Sequence, residues 1–261
     1  MRYDAGAAAY DRLTGRWSRL YAPAALDAAG VKAGDRVLDL ATGTGDTALL
    51  ARARLGSFST VIGVDLSLPM LLVAGAKSSG ERLKLVAADA QGLPFRARTF
   101  DAVLCQFGLM FFPDRVAALQ GVRRLLRANA HVALTVWGPS HRAPFPGIIA
   151  EALSKEMPSD RDELLRPFTL GDPREMEDLL SKAGFQNVRI TRQVRQARFV
   201  SFADFWEPIE AGGGRFGPAY LGLSHAARAA VLRDVQERVA EFISRGEIVM
   251  DLEAYIAAGT A

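Results

Sequence analysis

Arg36-Val37-Leu38-Asp39-Leu40-Ala41-Thr42-Gly43-Thr44-Gly45-Asp46-Thr47-Ala48 is the stretch whose reading decides the fold. Val37, Leu38 and Leu40 form a short apolar run, as in a strand covered on both faces. Gly43 and Gly45 free the backbone for a tight turn and for close approach of a ligand. A helix over 46–54 would then aim its unpaired N–H groups at whatever lies above the turn. The pattern predicts a nucleotide-type cleft at the carboxyl end of a parallel strand.

The glycines alone leave two ligands open, because Gly43-x-Gly45-x-x-Ala48 also fits the dinucleotide fingerprint of a nicotinamide-dependent oxidoreductase. Asp39 separates them. A carboxylate four residues before the first glycine repels a pyrophosphate and attracts a cation. An acid followed by x-G-x-G-x-G resembles the first motif of the class I S-adenosylmethionine (SAM) methyltransferases, with Ala41 standing where that motif has its first glycine. The resemblance implies that Asp39 helps hold the amino-acid end of SAM, and that Ala41, Gly43 and Gly45 cradle it.

The rest of the chain extends the pattern. Thr60–Asp65 reads as a second strand ending in an acid 20 positions after Gly45. There a carboxylate can accept hydrogen bonds from two ribose hydroxyls. Leu66 and Met70, just beyond, are placed to sandwich a flat adenine. Residues 83–87 read as a third strand. The following Ala88-Asp89-Ala90-Gln91-Gly92-Leu93-Pro94-Phe95 resembles the family's adenine-edge motif. By that resemblance Asp89 meets the adenine amino group and the Ala90 N–H a ring nitrogen. Phe100–Phe107 is the fourth strand. Its Phe-Asp opening and the later Phe111-Phe112-Pro113-Asp114 resemble the ubiquinone and menaquinone biosynthesis-type methyltransferases. Gln106, Phe107 and Gly108 at its tip are candidates for the junction between donor and acceptor.

A helix over about 113–127 leads to a fifth strand, 131–137. Ala128-Asn129-Ala130 replaces the family's Pro-Gly-Gly, with Asn129 able to take the left-handed turn. A helix over 172–183, closed by Gly184, precedes a sixth strand over 185–194. A helix from Ser224 is expected to carry its apolar stripe through Phe242 and Ile243. The alternation of Ile248, Met250, Leu252, Ala254 and Ile256 marks the last strand. The fold expected is α/β: a Rossmann-like seven-stranded sheet, six strands parallel and the last antiparallel, with helices on both faces and an inserted cap. Residues 1–35 would be an N-terminal helical lid, 36–138 the SAM-binding core and 139–171 the cap insertion. Residues 172–261 complete the core and carry a second cap segment at about 199–245. In the lid, Tyr10 and Trp17 are the aromatic candidates for covering SAM, and the Tyr10-Asp11 pair resembles one ahead of the family's first motif. The aromatic run from Phe199 to Trp206 is expected to form a second wall of the acceptor pocket.

Composition excludes several classes of function. The 261 residues are 49% hydrophobic and 23% charged, an ordinary globule rather than a disordered chain. No apolar run approaches the roughly 20 residues that span a bilayer, and the N-terminus lacks the apolar core of a signal peptide. A net charge of +3 is too small to point to nucleic acid. The four arginines at 189, 192, 195 and 198 do not share one strand face and read as a solvated edge. Cys105 is the single cysteine, so there is no internal disulfide, in keeping with a cytoplasmic protein. The three histidines are scattered and no metal is expected. His141 and His225 are the candidates for a general base. These features predict a cytoplasmic, SAM-dependent methyltransferase, monomeric or homodimeric, acting on a small and largely apolar metabolite by direct displacement and releasing S-adenosyl-L-homocysteine. The alternatives are an NAD(P)-dependent oxidoreductase, against which the absence of a Tyr-x-x-x-Lys pair counts, and a protein that binds SAM without methyl transfer.

Overall fold

The computed structural model describes residues 6–78 and 83–261. One sheet organises them: β1 (Arg36–Leu40), β2 (Thr60–Asp65), β3 (Lys84–Ala87), β4 (Phe100–Gln106), β5 (Leu126–Trp137), β6 (Gln186–Phe199), β7 (Ile243–Ser244) and β8 (Glu247–Thr260). Their order is β3-β2-β1-β4-β5-β8-β6, with β7 paired to β8. The first five strands pair in parallel. β8 runs antiparallel to both β5 and β6, so β6 points the same way as the first five. This is the expected sheet of six parallel strands and one antiparallel strand. The two-residue β7 is the addition. Arg245 (φ +53°) and Gly246 (φ +86°) reverse the chain between β7 and β8, the left-handed pair that a two-residue hairpin requires. Ile243 therefore leaves the expected helical stripe and lies 53% exposed on β7.

Apolar residues alternate to both sides of the central strands, and helices cover each side. The Ala22–Ala28 and Asp46–Leu55 helices close one face over Leu26, Val37, Ala48, Ala51, Val61 and Leu104. Pro23 sits in the first turn of the former, where its missing N–H costs nothing. The other face, under the Arg115–Leu125 and Pro144–Glu156 helices, buries Leu38, Val103, Leu119, Leu134 and Ile149. Asp114 begins the Arg115–Leu125 helix by accepting a backbone N–H, and Ser67, Asp172, Ser201 and Ser224 do the same for the helices Leu68–Lys77, Pro173–Lys182, Phe202–Glu210 and His225–Val239. Asn129 is left-handed at φ +63°, yet it lies within β5, whose pairing begins at Leu126 rather than at His131. β6 also runs five residues beyond the sequence expectation, to Phe199. It is the edge strand, and Arg192, Arg195 and Arg198 on it are held by Glu253, the Leu20 carbonyl and Glu247 respectively. Cys105 is a buried core residue of β4 whose thiol is pushed up to about 12 by burial. Among the described residues, no helix is long and apolar enough to cross a membrane.

Candidate active site

Strand order reverses between β1 and β4, which leaves a crevice outside their carboxyl ends. A cavity of about 750 Å³ occupies it, within the range that holds small molecules and cofactors. Its walls come from the glycine turn (Leu40, Ala41, Gly43), the β2 tip (Val64 to Met70) and the segment after β3 (Ala88, Asp89, Ala90). The tip of β4 (Gln106, Phe107, Gly108) and the turn beyond it (Phe111, Phe112, Pro113) complete the sheet side, with Tyr10 and Arg166 added from outside the sheet.

Two strand tips carry unusual backbone. Ala41, just after β1, has φ +55°, and Phe107, just after β4, has φ +55°. Both conformations are costly for a side-chain-bearing residue and cluster here at the switch point. The position where the methyltransferase motif has its first glycine is thus left-handed in this chain, which explains why glycine suits it. Gly108 is tied to the same spot: a Cβ there would stand 2.5 Å from the Ala41 Cβ and 3.0 Å from Cys105 Sγ. G108A is expected to destabilise by about 2 kcal/mol through overpacking. A41G alone should stabilise by about 0.5–1 kcal/mol, since relief of the left-handed penalty is partly offset by added chain entropy. Urea denaturation of the double variant A41G/G108A should recover most of the loss; independent effects would show that the two tips do not touch.

Gly43 (φ +55°) opens directly onto the cavity, since a Cβ on it would meet no protein atom within 4 Å. Gly45 (φ +84°) has a different task. It precedes the Asp46–Leu55 helix, and a Cβ there would stand 2.9 Å from the Ala74 Cβ. Its missing side chain serves helix packing, and it does not line the cavity.

Asp65 lines the cavity and organises it. Its Oδ2 accepts the Gly43 N–H at 2.8 Å and its Oδ1 the Ser67 N–H at 2.9 Å. Burial raises its carboxyl above the usual range, with these N–H groups opposing the rise. Asp89 is exposed and accepts the Gln91 N–H at 2.9 Å. Asp39 lies behind the turn rather than on its surface, 1% exposed. It accepts the Thr42 hydroxyl at 2.5 Å, and burial pushes its carboxyl up to about 7. Gln106 reaches in from β4 with Nε2 donating to the Ser18 carbonyl at 3.1 Å. Its Oε1 is buried and has no partner among the described residues. An orphaned acceptor in a cavity wall fits a ligand that brings a donor.

The N-terminal segment lies against this turn. Thr44 Oγ1 donates to Asp11 Oδ1 at 2.8 Å, and Lys77 Nζ bridges Asp11 (2.6 Å) and Asp46 (2.8 Å). Tyr10 thereby reaches the cavity. Trp17 does not: it is buried edge-on against Phe199 at 5.0 Å. The aromatics of the expected second wall are also elsewhere. Phe199, Phe205, Trp206 and Tyr220 pack on one another and on Phe145 as core. Their run resembles a pocket wall in sequence because ring clusters and pocket walls share a composition.

Neither candidate base is in the cavity. His141 lies exposed beside a second cavity of about 470 Å³ with Arg142, Arg192, Asp251 and Glu253, and His225 is an exposed residue opening a helix. Arg166, which the sequence reading passed over, is the sole cation among the cavity-lining residues described. It sits in a proline-interrupted insertion with no periodicity, so no sequence signal marked it. Among the described residues no group of three or more His, Cys, Asp or Glu is arranged to hold a metal ion.

The residues present fit SAM: an acid at the tip of β2, a glycine opening into the cavity, an acid after β3, and an orphaned acceptor on β4. Residues 37–129 match the model of a methyltransferase domain family. The chain is 32% identical over 173 residues to a demethylmenaquinone methyltransferase of Staphylococcus aureus, covering 62% of this chain and 72% of that protein. A demethylmenaquinone methyltransferase of Thermus thermophilus is 38% identical over 132 residues, 50% of this chain and 58% of its own length. The solved Haemonchus contortus phosphoethanolamine N-methyltransferase 2, in complex with SAM, superposes with a TM-score of 0.61 at 22% identity, covering 98% of this chain and 57% of that one. That last likeness concerns the fold.

Proposed function

The chain belongs to the class I SAM-dependent methyltransferases of the menaquinone and ubiquinone type, which transfer a methyl group to a small molecule, and from that premise we propose that its acceptor is an apolar, ring-bearing metabolite of the quinol class. The observation that carries the reading is the asymmetric cavity: acids at the β2 and β3 side, and aromatic rings with a single cation beyond β4. The names of the Staphylococcus and Thermus relatives support a quinol-type acceptor.

In this reading Asp65 accepts the two ribose hydroxyls, and Asp89 with the Ala90 N–H meets the adenine edge. Leu66 and Met70 enclose the ring. Gly43 lets the donor approach the turn, and Gln106 Oε1 accepts from the donor's ammonium. Asp39 and Gly45 act from behind, holding the turn and its helix. Tyr10 covers the donor from the N-terminal segment, whose part 6–35 serves as the lid, residues 1–5 of the expected span lying outside the described residues; 139–171 caps the acceptor side.

When bound, SAM supplies a methyl group that is electrophilic because it is attached to a sulfonium. The chain's own contribution is to align the acceptor behind that methyl and to keep water out, which can be worth roughly 7–11 kcal/mol. Phe107, Phe111 and Phe112 are the rings against which a flat acceptor lies. With His141 and His225 outside the cavity, no histidine serves as base. The protein acts in the cytoplasm, as a monomer or homodimer and without nucleic acid; the low net charge and the single cysteine support this.

The test is calorimetric titration with SAM, S-adenosylhomocysteine and NAD, followed by turnover with quinol-type acceptors. Binding of SAM and of its product at micromolar concentrations without NAD binding, and product formation with a quinol, are expected. NAD binding without SAM binding would falsify the reading.

A further inference from the structure

The acceptor end of the cavity carries charge that the donor does not use. Arg166 begins the short helical turn Arg166–Phe168, which packs against β5 and the Leu109–Phe111 turn. Its Nε is held by Glu163 Oε2 at 2.8 Å. Its two Nη groups have no partner among the described residues. Glu163 also takes Arg215 Nη2 at 2.7 Å, so one carboxylate fixes two guanidiniums. Arg215 is 8% exposed, its Nε is buried without a partner, and its guanidinium lies 4.7 Å from the centre of the Phe111 ring, a cavity wall. Arg115 adds a third cation nearby, donating to the Met110 carbonyl and to Thr169 Oγ1. Burial, and next the charge of Arg166, hold its guanidinium below the usual range. Two arginines thus share the Glu163 carboxylate, a third lies within range of the Arg166 charge and of Glu175, and the one facing the cavity has its bidentate end uncommitted.

Building on the methyltransferase reading above, we infer that Arg166 binds an anionic oxygen on the acceptor, and that the substrate class is therefore aromatic ring compounds ionised as an enolate, naphtholate or similar oxyanion. A planar fork of two N–H donors suits such an oxygen, and a charge-assisted pair is roughly twice as strong as a neutral one. The same contact makes a protein base unnecessary, because a cation at this place lowers the acceptor's own pKa. The oxyanion supplies the electron pair, directly or through its conjugated ring. A bond to the methyl carbon forms as the methyl–sulfur bond breaks, and that pair stays on sulfur. The acceptor's negative charge and the sulfonium's positive charge disappear together. Attack through a ring carbon also releases that carbon's proton to solvent. Glu163, itself held by Arg215, is the positioning residue that fixes the Arg166 side chain at the cavity wall.

The experiment compares two probes on one ring system: 2-hydroxy-1,4-naphthoquinone, which is ionised near neutral pH, and its uncharged 2-methoxy ether. Each is titrated by calorimetry into protein saturated with S-adenosylhomocysteine. The hydroxy compound is expected to bind at least tenfold more tightly than the ether. In R166Q that preference should shrink to within threefold while affinity for S-adenosylhomocysteine stays unchanged. E163Q should give an intermediate preference. Equal binding of both probes, binding of neither, or a preference that survives in R166Q overturns the inference. So does loss of S-adenosylhomocysteine affinity in R166Q, which would assign that guanidinium to the donor. Failure of the wild-type protein to bind S-adenosylhomocysteine at all would instead sink the underlying methyltransferase reading.

Discussion

Replacing Asp65 by alanine should weaken binding of S-adenosylhomocysteine by about a hundredfold or more. Hydrogen bonds to a charged group contribute roughly 1.5–3 kcal/mol each. Two ribose hydroxyls at the low end of that range amount to about 3 kcal/mol, and each 1.4 kcal/mol is about tenfold in affinity. The substitution also releases the Gly43 and Ser67 N–H groups, which Asp65 holds at 2.8 and 2.9 Å, so the glycine turn keeps only its backbone tie from the Thr42 N–H to the Val64 carbonyl. Asp65→Asn separates the two effects. It keeps the shape but turns one acceptor into a donor that faces an N–H, and it should cost about tenfold. Titration calorimetry with thermal melts of the free proteins reads both. An affinity within threefold of wild type in D65A, with an unchanged melt, would place the ribose elsewhere.

Asp65 was legible because its reason is local. A strand of Val61 and Val64 that ends in an acid needs no knowledge of the rest of the chain. The same holds for the glycine turn, for Asp89 and for the alternation in β8. What the sequence hid is set by contacts distant along the chain. Trp17 has the same helical spacing from the lid's other aromatics whether it covers a ligand or meets Phe199, 182 residues later. Gly45 reads as a ligand glycine until Ala74 is seen beneath it. Arg166 reaches the cavity because the insertion after β5 folds back onto the Leu109–Phe111 turn beyond β4, a path that no periodicity records. Short-range pattern specified the strand tips and the glycine turn that line the cavity on the β1–β3 side, and tertiary packing decided what lines it beyond β4.

Asp39 should give the free protein a pH dependence of its own. Its carboxyl is pushed up to about 7, chiefly by burial, against the Thr42 hydroxyl and the Ala48 N–H, while the charges of Asp65 and Asp46 raise it further. In the unfolded chain the same group titrates near 3.9. Between about pH 4 and pH 7 the folded protein therefore binds a proton that the unfolded chain has released. The unfolding free energy must fall as pH rises through that window and level off above it. The contribution is whole below pH 4 and gone above about pH 7, on the order of a few kcal/mol. Asp39→Asn removes the titration, so the stability difference between wild type and D39N should decline from pH 4 to pH 7 and then stay flat. Groups such as Glu151 and Glu253, whose carboxyls are held below the usual range, slope the other way but largely cancel in that difference. A ligand ammonium above the turn favours the ionised carboxylate. Binding S-adenosylhomocysteine near pH 6 should thus release about one proton in wild type and none in D39N, measurable as a buffer-dependent binding enthalpy. Parallel stability curves for the two proteins, with no difference in proton release, would mean that Asp39 is ionised throughout. A buried, uncompensated carboxylate would then have to draw its charge balance from a source other than the turn it supports.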